Sequence, residues 1–394
     1  MTRPSLLFIS PRFLFPTDEG GKIRTANILR QMKGGPFHIR LASPKPQNAA
    51  SFKGDIDAVC DAFVDWPASK QNRLRRLAAL LDRRPVSVAS DLTSQGRAAV
   101  ARALHDGPDL VVVDFPHAAV LTPAPFRVPS VCFTHNVETE IYERHARVAT
   151  GAMRLIWPGQ VRKMRRFEET TLRRFDRVIA VSRRDATALR NRFGLTTVDP
   201  IDTGVDLDYF RTTPAPSGSN LVVFTGVMDS PANIEGIRFL INEVWPALTR
   251  LRPGVRASII GRNPPAWLKA SAPPGFEFTG TVDDIRPHFA AGDLAVIPLT
   301  VGSGTRIKAF EAMAMGRPVV STTVGVEGLD VVDGEHLLIA DTGAAFAAAI
   351  DRLLADTALR FSLAQRARAL VEQRFSWAQV ARQFEAICLQ ALGH

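Results

Sequence analysis

The sequence predicts an α/β protein made of two doubly wound domains, each with a parallel β-sheet between layers of helices. Short apolar runs alternate with longer amphipathic segments throughout the 394 residues. Runs such as Leu110–Val113 are apolar at every position, as expected for a strand that is buried on both faces. The alternation starts again after Gly204, and the chain is long enough for two separate hydrophobic cores. We therefore predict one domain over residues 1–200 and a second over residues 201–375.

The strand predictions rest on short runs rich in branched and aromatic residues. In the first half the predicted strands are Leu6–Ile9, Ile39–Leu41, Leu110–Val113, Val128–Phe133 and Val178–Val181. In the second half they are Leu221–Phe224, Ala257–Ile260, Phe276–Phe278, Leu294–Ile297, Pro318–Ser321 and Leu337–Ile339. Amphipathic segments such as Lys22–Lys33 and Asp185–Arg192 predict the intervening helices. In such sheets ligands bind beyond the carboxyl ends of the strands, so we expect both domains to face a central cleft.

Composition and charge narrow the classes of function. Hydrophobic residues make up 46% of the chain and charged residues 22%, which is typical of a soluble globular protein. The net charge of +10 is uneven, since residues 1–200 hold 32 basic and 19 acidic residues and the rest hold 17 and 20. A basic surface attracts phosphates, anionic lipid headgroups or nucleic acid. The chain has no nucleic-acid-binding motif, so nucleic acid is not an expected partner.

The chain has no obvious membrane-spanning or targeting segment. No run approaches the ~20 apolar residues that a spanning helix needs, and the first apolar run is too short for a signal peptide. We therefore expect a cytoplasmic protein. Lys70–Leu81 and Gln160–Phe175 are basic and amphipathic. Each is either a solvated helix face or a segment that lies on an anionic membrane surface, which leaves a peripheral location on the inner face of the cytoplasmic membrane open.

The most informative segment is the loop and helix that follow the predicted strand Leu294–Ile297. Gly302 and Gly304 precede a predicted helix, where backbone N–H groups and the helix dipole favour an anion. Arg306 and Lys308 place two positive charges in the first turn, which is the wrong sign for the dipole unless a diphosphate binds there. Glu311 shares a helical face with Lys308 and can accept hydrogen bonds from two ribose hydroxyls. The alternative is a solvated Lys308–Glu311 pair beside an ordinary loop.

Two segments of the first half are further candidates. Gly20 and Gly21 follow the first strand and open a helix, where the backbone can approach a ligand. His135 and Asn136 stand at the carboxyl end of a predicted strand, where functional residues of this fold class lie. Asp114, at the end of another strand, is either a neighbour of that site or a helix cap.

Several segments resemble one family, the retaining glycosyltransferases of family 4, also described as glycosyl transferases group 1. Its architecture, called GT-B, has two Rossmann-like domains of doubly wound parallel sheets. The resemblance covers essentially the whole chain and is more specific in the second half. The segments that carry it are Pro200–Phe210, Leu221–Gly236, Ile259–Arg262, Gly280–Asp284 and Phe310–Val320.

The resemblance implies roles for individual residues. It implies that the transferred sugar and the departing diphosphate are met by His135, Arg306 and Lys308. It implies donor binding by Gly20, Gly21, Gly226, Gly261, Arg262, Val282, Ser303, Gly304, Thr305 and Glu311. It implies acceptor binding by Lys22, Arg24, Asn136 and Glu138. No cofactor or metal is expected, since cationic side chains and a helix dipole would do the work of a divalent ion, and residues 376–394 are expected to form a helix that crosses back onto the first domain.

The chain departs from the family pattern at two places. The first glutamate of the family's motif of two glutamates separated by seven residues falls at Ser303, which leaves the identity of the sugar open. The Arg and Lys that often follow the first strand of the donor domain are replaced by residues such as Met228, Asp229 and Asn233. The diphosphate charge is then expected to be met by Arg306 and Lys308.

We therefore predict a retaining glycosyltransferase that moves a sugar from a nucleoside-diphosphate sugar to an acceptor hydroxyl. The expected acceptor is a sugar, a polysaccharide or a lipid-linked intermediate of envelope or extracellular polysaccharide or glycolipid synthesis. Two alternatives stay open: a nucleotide-sugar epimerase of the same architecture, and a non-catalytic nucleotide-sugar-binding subunit, which the missing acid at Ser303 favours. A nicotinamide dehydrogenase is disfavoured because no Gly-x-Gly-x-x-Gly follows the first strand.

Overall fold

The computed structural model of the protein describes residues 3–68, 79–151, 153–214, 216, 218–301 and 307–393. The chain divides into two compact units. The first unit is formed by Met1–Thr203 together with Trp377–His394, and the second by Gly204–Ser376. The predicted limits, at residues 200 and 375, lie close to these boundaries.

The first unit contains a seven-stranded, fully parallel sheet in the order β3-β2-β1-β4-β5-β6-β7. β1 and β4 lie at its centre, and Leu6–Ile9 and Leu110–Val113 are almost completely buried, as their unbroken apolar sequence predicts. The prediction of a doubly wound parallel sheet is confirmed. The strands are β1 Ser5–Ile9, β2 His38–Lys45, β3 Ala62–Pro67, β4 Leu110–Asp114, β5 Ser130–Phe133, β6 Arg177–Ala180 and β7 Val198–Pro200.

The edge strands β3 and β7 have no counterpart among the predicted strands. β3 contains Asp65, ends in Pro67 and is largely exposed, because an edge strand has one unpaired side and one weakly packed face. β7 has only three residues, of which Asp199 pairs with Arg177 of β6. Both therefore lack the apolar run by which the central strands could be predicted.

Helices cover both faces of this first sheet. In chain order they are α1 Gly20–Met32, α2 Lys53–Asp57, α3 Val86–Asp91, α4 Ser94–His105, α5 Phe115–Ala118, α6 Glu138–Val148, α7 Met153–Leu172 and α8 Arg183–Phe193.

One further helix of the first unit comes from the far end of the chain, after the second unit. It spans Trp377–Leu392 and packs along α1. The Phe384 ring lies 5.1 Å from the Phe133 ring and 6.4 Å from the Phe8 ring, measured between centroids. This helix therefore contributes directly to the first hydrophobic core.

The second unit contains a six-stranded parallel sheet in the order β10-β9-β8-β11-β12-β13. Its strands are β8 Leu221–Thr225, β9 Arg256–Ile260, β10 Phe276–Gly280, β11 Leu294–Ile297, β12 Val319–Ser321 and β13 Leu338–Ile339. Its helices are α9 Pro231–Phe239, α10 Trp245–Leu251, α11 Ala266–Ala270, α12 Arg286–Ala291, α13 Ile307–Ala314, α14 Gly343–Ala355 and α15 Thr357–Arg374. The Trp377–Leu392 helix is accordingly α16.

Strand order reverses between β1 and β4 in the first sheet and between β8 and β11 in the second. At such a switch point the connections leave to opposite faces, so the carboxyl edge opens into a crevice that favours ligand binding. Asp114 ends β4 at the first switch point. Gly226 follows β8 at the second. Among the described residues predicted to bind ligands, Gly226 and His135 lie near these two edges.

The structure describes the two basic segments of the first domain to different extents. Residues 69–78, most of the Lys70–Leu81 segment, lie outside the described part of the chain, and the Leu81 side chain is exposed. Gln160–Phe175 lies mostly within α7, where Met164 and Glu168 are fully buried, so one face of this helix belongs to the domain interior. Among the described helices, none is long and apolar enough to span a membrane.

Candidate functional site

The loops that follow β8 and β9 are joined through two glycines. Gly226 N–H donates to the Ile260 carbonyl at 2.9 Å, and Met228 N–H donates to the Arg262 carbonyl at 3.0 Å. A Cβ atom on Gly261 would lie 1.8 Å from the Gly226 carbonyl oxygen, so no other residue fits at position 261 without moving the backbone. The two predicted donor-binding glycines therefore shape one continuous edge of the second sheet.

Lys308 lies in the first turn of α13 and reaches this edge. Its Nζ donates to Asn233 Oδ1 at 2.9 Å and lies 4.4 Å from the centroid of the Phe224 ring. Asn233 Nδ2 in turn donates to the Val227 carbonyl at 2.7 Å, which fixes the orientation of the amide. A Cβ on Gly226 would lie 2.9 Å from Lys308 Nζ, so the glycine makes room for the ammonium group.

Glu311 lies one turn further along α13. Burial raises the pKa of its carboxyl group to about 7, while the Lys308 charge opposes the shift. The side chain is only half-buried, and no hydrogen bond to its carboxylate is formed by the residues whose positions are described. A carboxylate that is partly removed from water and still accessible can accept hydrogen bonds from a bound hydroxyl group.

Two further predicted donor residues of the second domain, Arg262 and Val282, lie in the described loops after β9 and β10. Arg262 is exposed, and its Nε lies 3.5 Å from Asp229 Oδ2. Val282 follows β10 and packs partly buried against the core. Ser303, Gly304, Thr305 and Arg306 lie outside the described residues.

In the first domain, His135 is held by a buried polar cluster at the carboxyl ends of β4 and β5. Its Nε2 lies 2.7 Å from Asp114 Oδ1, and its Nδ1 lies 3.0 Å from Nη1 of Arg24. Because Arg24 can only donate, Nδ1 accepts and the proton resides on Nε2. Burial lowers the pKa of His135 and so favours the neutral ring, whereas the nearby Asp114 charge opposes this shift.

Asp114 does not cap a helix, so that alternative is wrong. The side chain makes no cap hydrogen bond to the following helix. It is fully buried and accepts instead from Ser10 Oγ at 2.9 Å, from Thr25 Oγ1 at 3.2 Å and from His135. The carboxylate is therefore occupied by three side-chain donors and does not bond to the helix N–H groups.

Arg24, a predicted acceptor residue, lies inside the domain. Its side chain is almost fully buried, and Nη2 donates to Thr203 Oγ1 at 2.8 Å. Burial lowers the pKa of Arg24 to about 10, and Asp114 opposes this shift. Lys22 is half-buried, and its Nζ donates to Asp18 Oδ1 at 2.8 Å. These roles, and those of the other predicted site residues, stay predictions.

Phe115 completes the surroundings of His135. Its ring stacks on the imidazole at a centroid distance of 3.9 Å and an angle of 17°. Its backbone has a φ of 61°, a left-handed conformation that costs a bulky residue about 1–3 kcal/mol. A Cβ on Gly21 would lie 2.6 Å from Phe115 Cζ, whereas one on Gly20 would meet nothing within 4 Å. Gly21 therefore leaves room for the ring that covers His135.

Glu138 and Asn136 lie at the start of α6. The Glu138 side chain is buried, and its backbone N–H donates to Glu168 Oε1 at 2.8 Å. Glu168 also accepts from the Thr139 N–H, so it satisfies the first turn of the helix from outside. Burial, reinforced by the Glu168 charge, raises the pKa of Glu138 to about 8. Asn136 is half-buried.

The contacts of two contributors to these sites could not be predicted from the sequence. Phe115 is an ordinary aromatic residue before a proline, and Asn233 is 75 residues from Lys308, the residue that it orients. Within the described ranges, no group of three His, Cys, Asp or Glu side chains could hold a metal ion.

The geometry can be compared with known proteins. Residues 25–209 match the family model described as Glycosyltransferase Family 4, and residues 219–356 match that described as Glycosyl transferases group 1. Over 101 residues the chain is 38% identical to the lipopolysaccharide core biosynthesis glycosyltransferase LpsE of Rhizobium meliloti, covering 25% of this chain and 29% of that protein. The chain spans about a quarter to a third of the length of the curated relatives it matches.

Solved structures are similar over nearly their whole length. Sucrose-phosphate synthase from Thermosynechococcus elongatus has a TM-score of 0.71 and 19% identity, covering 99% of this chain and 100% of that one. Anabaena HepE in complex with UDP and glucose has a TM-score of 0.69 and 19% identity, covering 98% and 100%. These likenesses show the fold. Together with the two family matches, they establish that the chain belongs to the group 1 and family 4 glycosyltransferases and has the GT-B fold.

Proposed function

We propose that the protein transfers a sugar from a nucleoside-diphosphate sugar to an acceptor hydroxyl, with retention of the anomeric configuration. The observation that carries this proposal is the pairing on one helix of an ammonium group, on Lys308, and the carboxyl group of a partly exposed residue, Glu311, at the switch point of the second sheet. The ammonium suits a diphosphate and the carboxylate suits the ribose hydroxyls. The similar structure of Anabaena HepE is in complex with UDP and glucose, which supports a nucleotide-sugar donor.

The proposed chemistry needs few protein groups. The acceptor oxygen bonds to the anomeric carbon as the bond from that carbon to the diphosphate breaks, and the acceptor proton passes to a diphosphate oxygen on the same face. Lys308, together with Arg306, stabilises the negative charge that develops on the leaving group. In this scheme the two cationic side chains take the part of a divalent metal ion, and no cofactor is needed.

Glu311→Gln tests the donor site. We expect UDP or GDP to bind the wild-type protein, and the variant to lose about tenfold or more in affinity, because hydrogen bonds to a charged acceptor are worth about 1.5–3 kcal/mol each. Since the pKa of Glu311 is about 7, wild-type affinity should rise as the pH increases from 6 to 8 and the carboxylate ionises. Calorimetry at several pH values measures both effects.

The phosphate groups of the nucleotide also titrate in this pH range. The Gln variant is the control for that effect, because the substitution leaves the titration of the nucleotide unchanged. A pH dependence that persists in the variant would assign the effect to the phosphate. Stability supplies a second check: a carboxyl whose pKa is raised on folding from 4.5 to about 7 makes the protein less stable as the pH rises through that window. The variant should lack this loss. If neither nucleotide binds the wild type, the proposed function is wrong and a non-catalytic or partner-dependent role takes its place.

The acceptor is proposed to be a sugar, polysaccharide or lipid-linked intermediate of envelope or extracellular polysaccharide or glycolipid synthesis. The similarity to LpsE, a lipopolysaccharide core glycosyltransferase by name, supports this pathway class. The excess of basic residues in residues 1–200 supports a cytoplasmic protein that works peripherally on an anionic membrane surface.

A single transfer assay checks these features. With UDP- and GDP-sugars in the presence of EDTA, we expect product formation at the rate seen without the chelator. We expect NMR of the product to show the donor's anomeric configuration, and a lipid-linked acceptor in anionic vesicles to react faster than the same glycan in solution. An inverted anomer refutes retention, loss of activity in EDTA refutes metal independence, and reaction of soluble acceptors alone refutes the membrane site.

A further inference from the structure

The first domain contains a cavity that the polar cluster around His135 does not explain. Its volume is about 910 Å³, within the range of small-molecule binding sites, and all of its lining residues belong to the first domain. Charged, polar and aromatic side chains share its wall, among them Arg12, Lys22, Asp91, His117, Tyr142 and Trp157.

His117 is the most unusual group in this wall. Only 8% of the residue is exposed, and its buried Nε2 has no hydrogen-bond partner among the residues that the structure describes. Nδ1 lies 3.8 Å from Asp91 Oδ2, and Nε2 lies 3.6 Å from Glu138 Oε2. Both distances exceed those of a hydrogen bond. A ligand hydroxyl placed between the His117 ring and one of these carboxylates could bridge them, because a hydroxyl can accept a hydrogen bond from the ring and donate one to the carboxylate.

The charges around the cavity favour an uncharged ligand. Burial lowers the pKa of His117 to about 4, so the ring is neutral, and raises the pKa of Asp91 to about 7. Arg12 is paired with Glu19 at 2.7 Å, and Lys22 with Asp18 at 2.8 Å. Asp91 and Glu138, which lie 3.8 Å and 3.6 Å from the His117 ring nitrogens, are both acidic, so a phosphate or carboxylate placed there would face two acidic groups, and the Arg12 charge would offset them only in part.

Two aromatic residues of the wall are held by contacts with their neighbours. The Trp157 ring is stacked on the His145 ring at 4.9 Å and meets the Tyr142 ring edge-on at 5.4 Å. The Tyr142 hydroxyl is 2.7 Å from Ser87 Oγ, which fixes the phenol. Trp157 remains partly exposed and lines the cavity. The negative face of such a ring attracts the polarised C–H groups of a sugar.

We propose that this cavity binds an uncharged pyranose ring of the acceptor, with Trp157 against the ring's apolar face and Asp91 and His117 on its hydroxyls. The inference rests on the proposed function, in which the first domain holds the acceptor, and adds the class of sugar and the residues that select it. A lipid chain fits less well, because it would bury two carboxyl groups and an imidazole without partners.

The test is binding of simple sugars to the full-length protein by saturation-transfer NMR. The probes are methyl β-glucopyranoside, methyl β-galactopyranoside and maltose as uncharged ligands, glucuronic acid and glucose 6-phosphate as charged ones, and octanol as the apolar one. At least one uncharged sugar should bind at least tenfold more tightly than the charged sugars and octanol. Asp91→Asn and Trp157→Ala should each weaken that sugar at least tenfold.

The controls are Asp57→Asn and Phe361→Ala, which change an exposed aspartate and an exposed aromatic residue and should leave sugar binding as it is. Equal binding by site and control variants, or tighter binding of charged sugars or octanol, would overturn the inference. The wild-type preference tests it even if a variant does not fold. UDP binding, measured in parallel, separates the two proposals: sugar binding with this variant pattern but without UDP binding supports the cavity and refutes the proposed function.

Discussion

Replacing Asp114 by Asn should destabilise the first domain by about 3 kcal/mol, because leaving a buried hydrogen-bonding group unsatisfied costs about 1–3 kcal/mol and more where a charge is involved. Asp114 is fully buried and accepts hydrogen bonds from Ser10, Thr25 and His135. Its charge also opposes the burial of the Arg24 guanidinium. An amide keeps the shape of the side chain but removes that charge and turns one acceptor into a donor. Hydrogen exchange of β1 and β4, measured by mass spectrometry, reports the change in that domain.

Asp106→Asn is the matched control for this substitution. Asp106 is exposed and forms a surface ion pair with Arg40 at 2.6 Å, so its loss should cost about 1 kcal/mol or less. Hydrogen exchange in the second domain should be the same in both variants as in the wild-type protein. If exchange in β1 and β4 is equally slow in the two variants, the Asp114 charge does not stabilise this domain.

Replacing Lys308 by Met should lower kcat about 10²–10³-fold, which is the effect of removing one group that stabilises a developing charge. Met keeps the length and apolar stem of the side chain, so its packing on Phe224 is retained while the ammonium is lost. Because the leaving diphosphate gains charge as the bond breaks, the loss should appear mainly in kcat. The decrease in kcat is measured by steady-state kinetics, with a sugar donor that carries the nucleotide found to bind.

Asn233→Ala separates positioning from charge. This variant keeps the ammonium group but removes the 2.9 Å hydrogen bond that orients it, so kcat should fall by less than in Lys308→Met. Lys269→Met, on the exposed face of α11, is the matched control and should keep full activity. A Lys308→Met variant with unchanged kcat would show that the diphosphate is neutralised elsewhere.

Much of the fold could be predicted from local sequence. Leu6–Ile9 and Leu110–Val113 could be predicted because central strands of a parallel sheet are buried on both faces and need apolar residues throughout. Ala62–Pro67 could not, because its position at the sheet edge is a consequence of tertiary structure and imposes little on its composition.

For the candidate sites too, only features that are local in the sequence could be predicted. Lys308 and Glu311 could be singled out because a glycine-rich loop, a helix start and one helical face are all local features. The partner of Lys308, Asn233, is distant in sequence, and neither the left-handed backbone of Phe115 nor its stacking on His135 has a local sequence signal. Asp91, His117 and Trp157 are likewise brought to one cavity only by the fold.

The return of α16 to the first unit has a consequence for how the protein is made. On the ribosome, residues 204–376 are complete before Trp377–Leu392 have emerged, so the second domain can finish folding while the first still lacks Phe384 from its core. The earlier-synthesised domain is therefore the later one to mature. Until α16 arrives, the apolar surface around Phe8 and Phe133 is open to chaperones, and a nascent chain stalled before residue 377 would expose it.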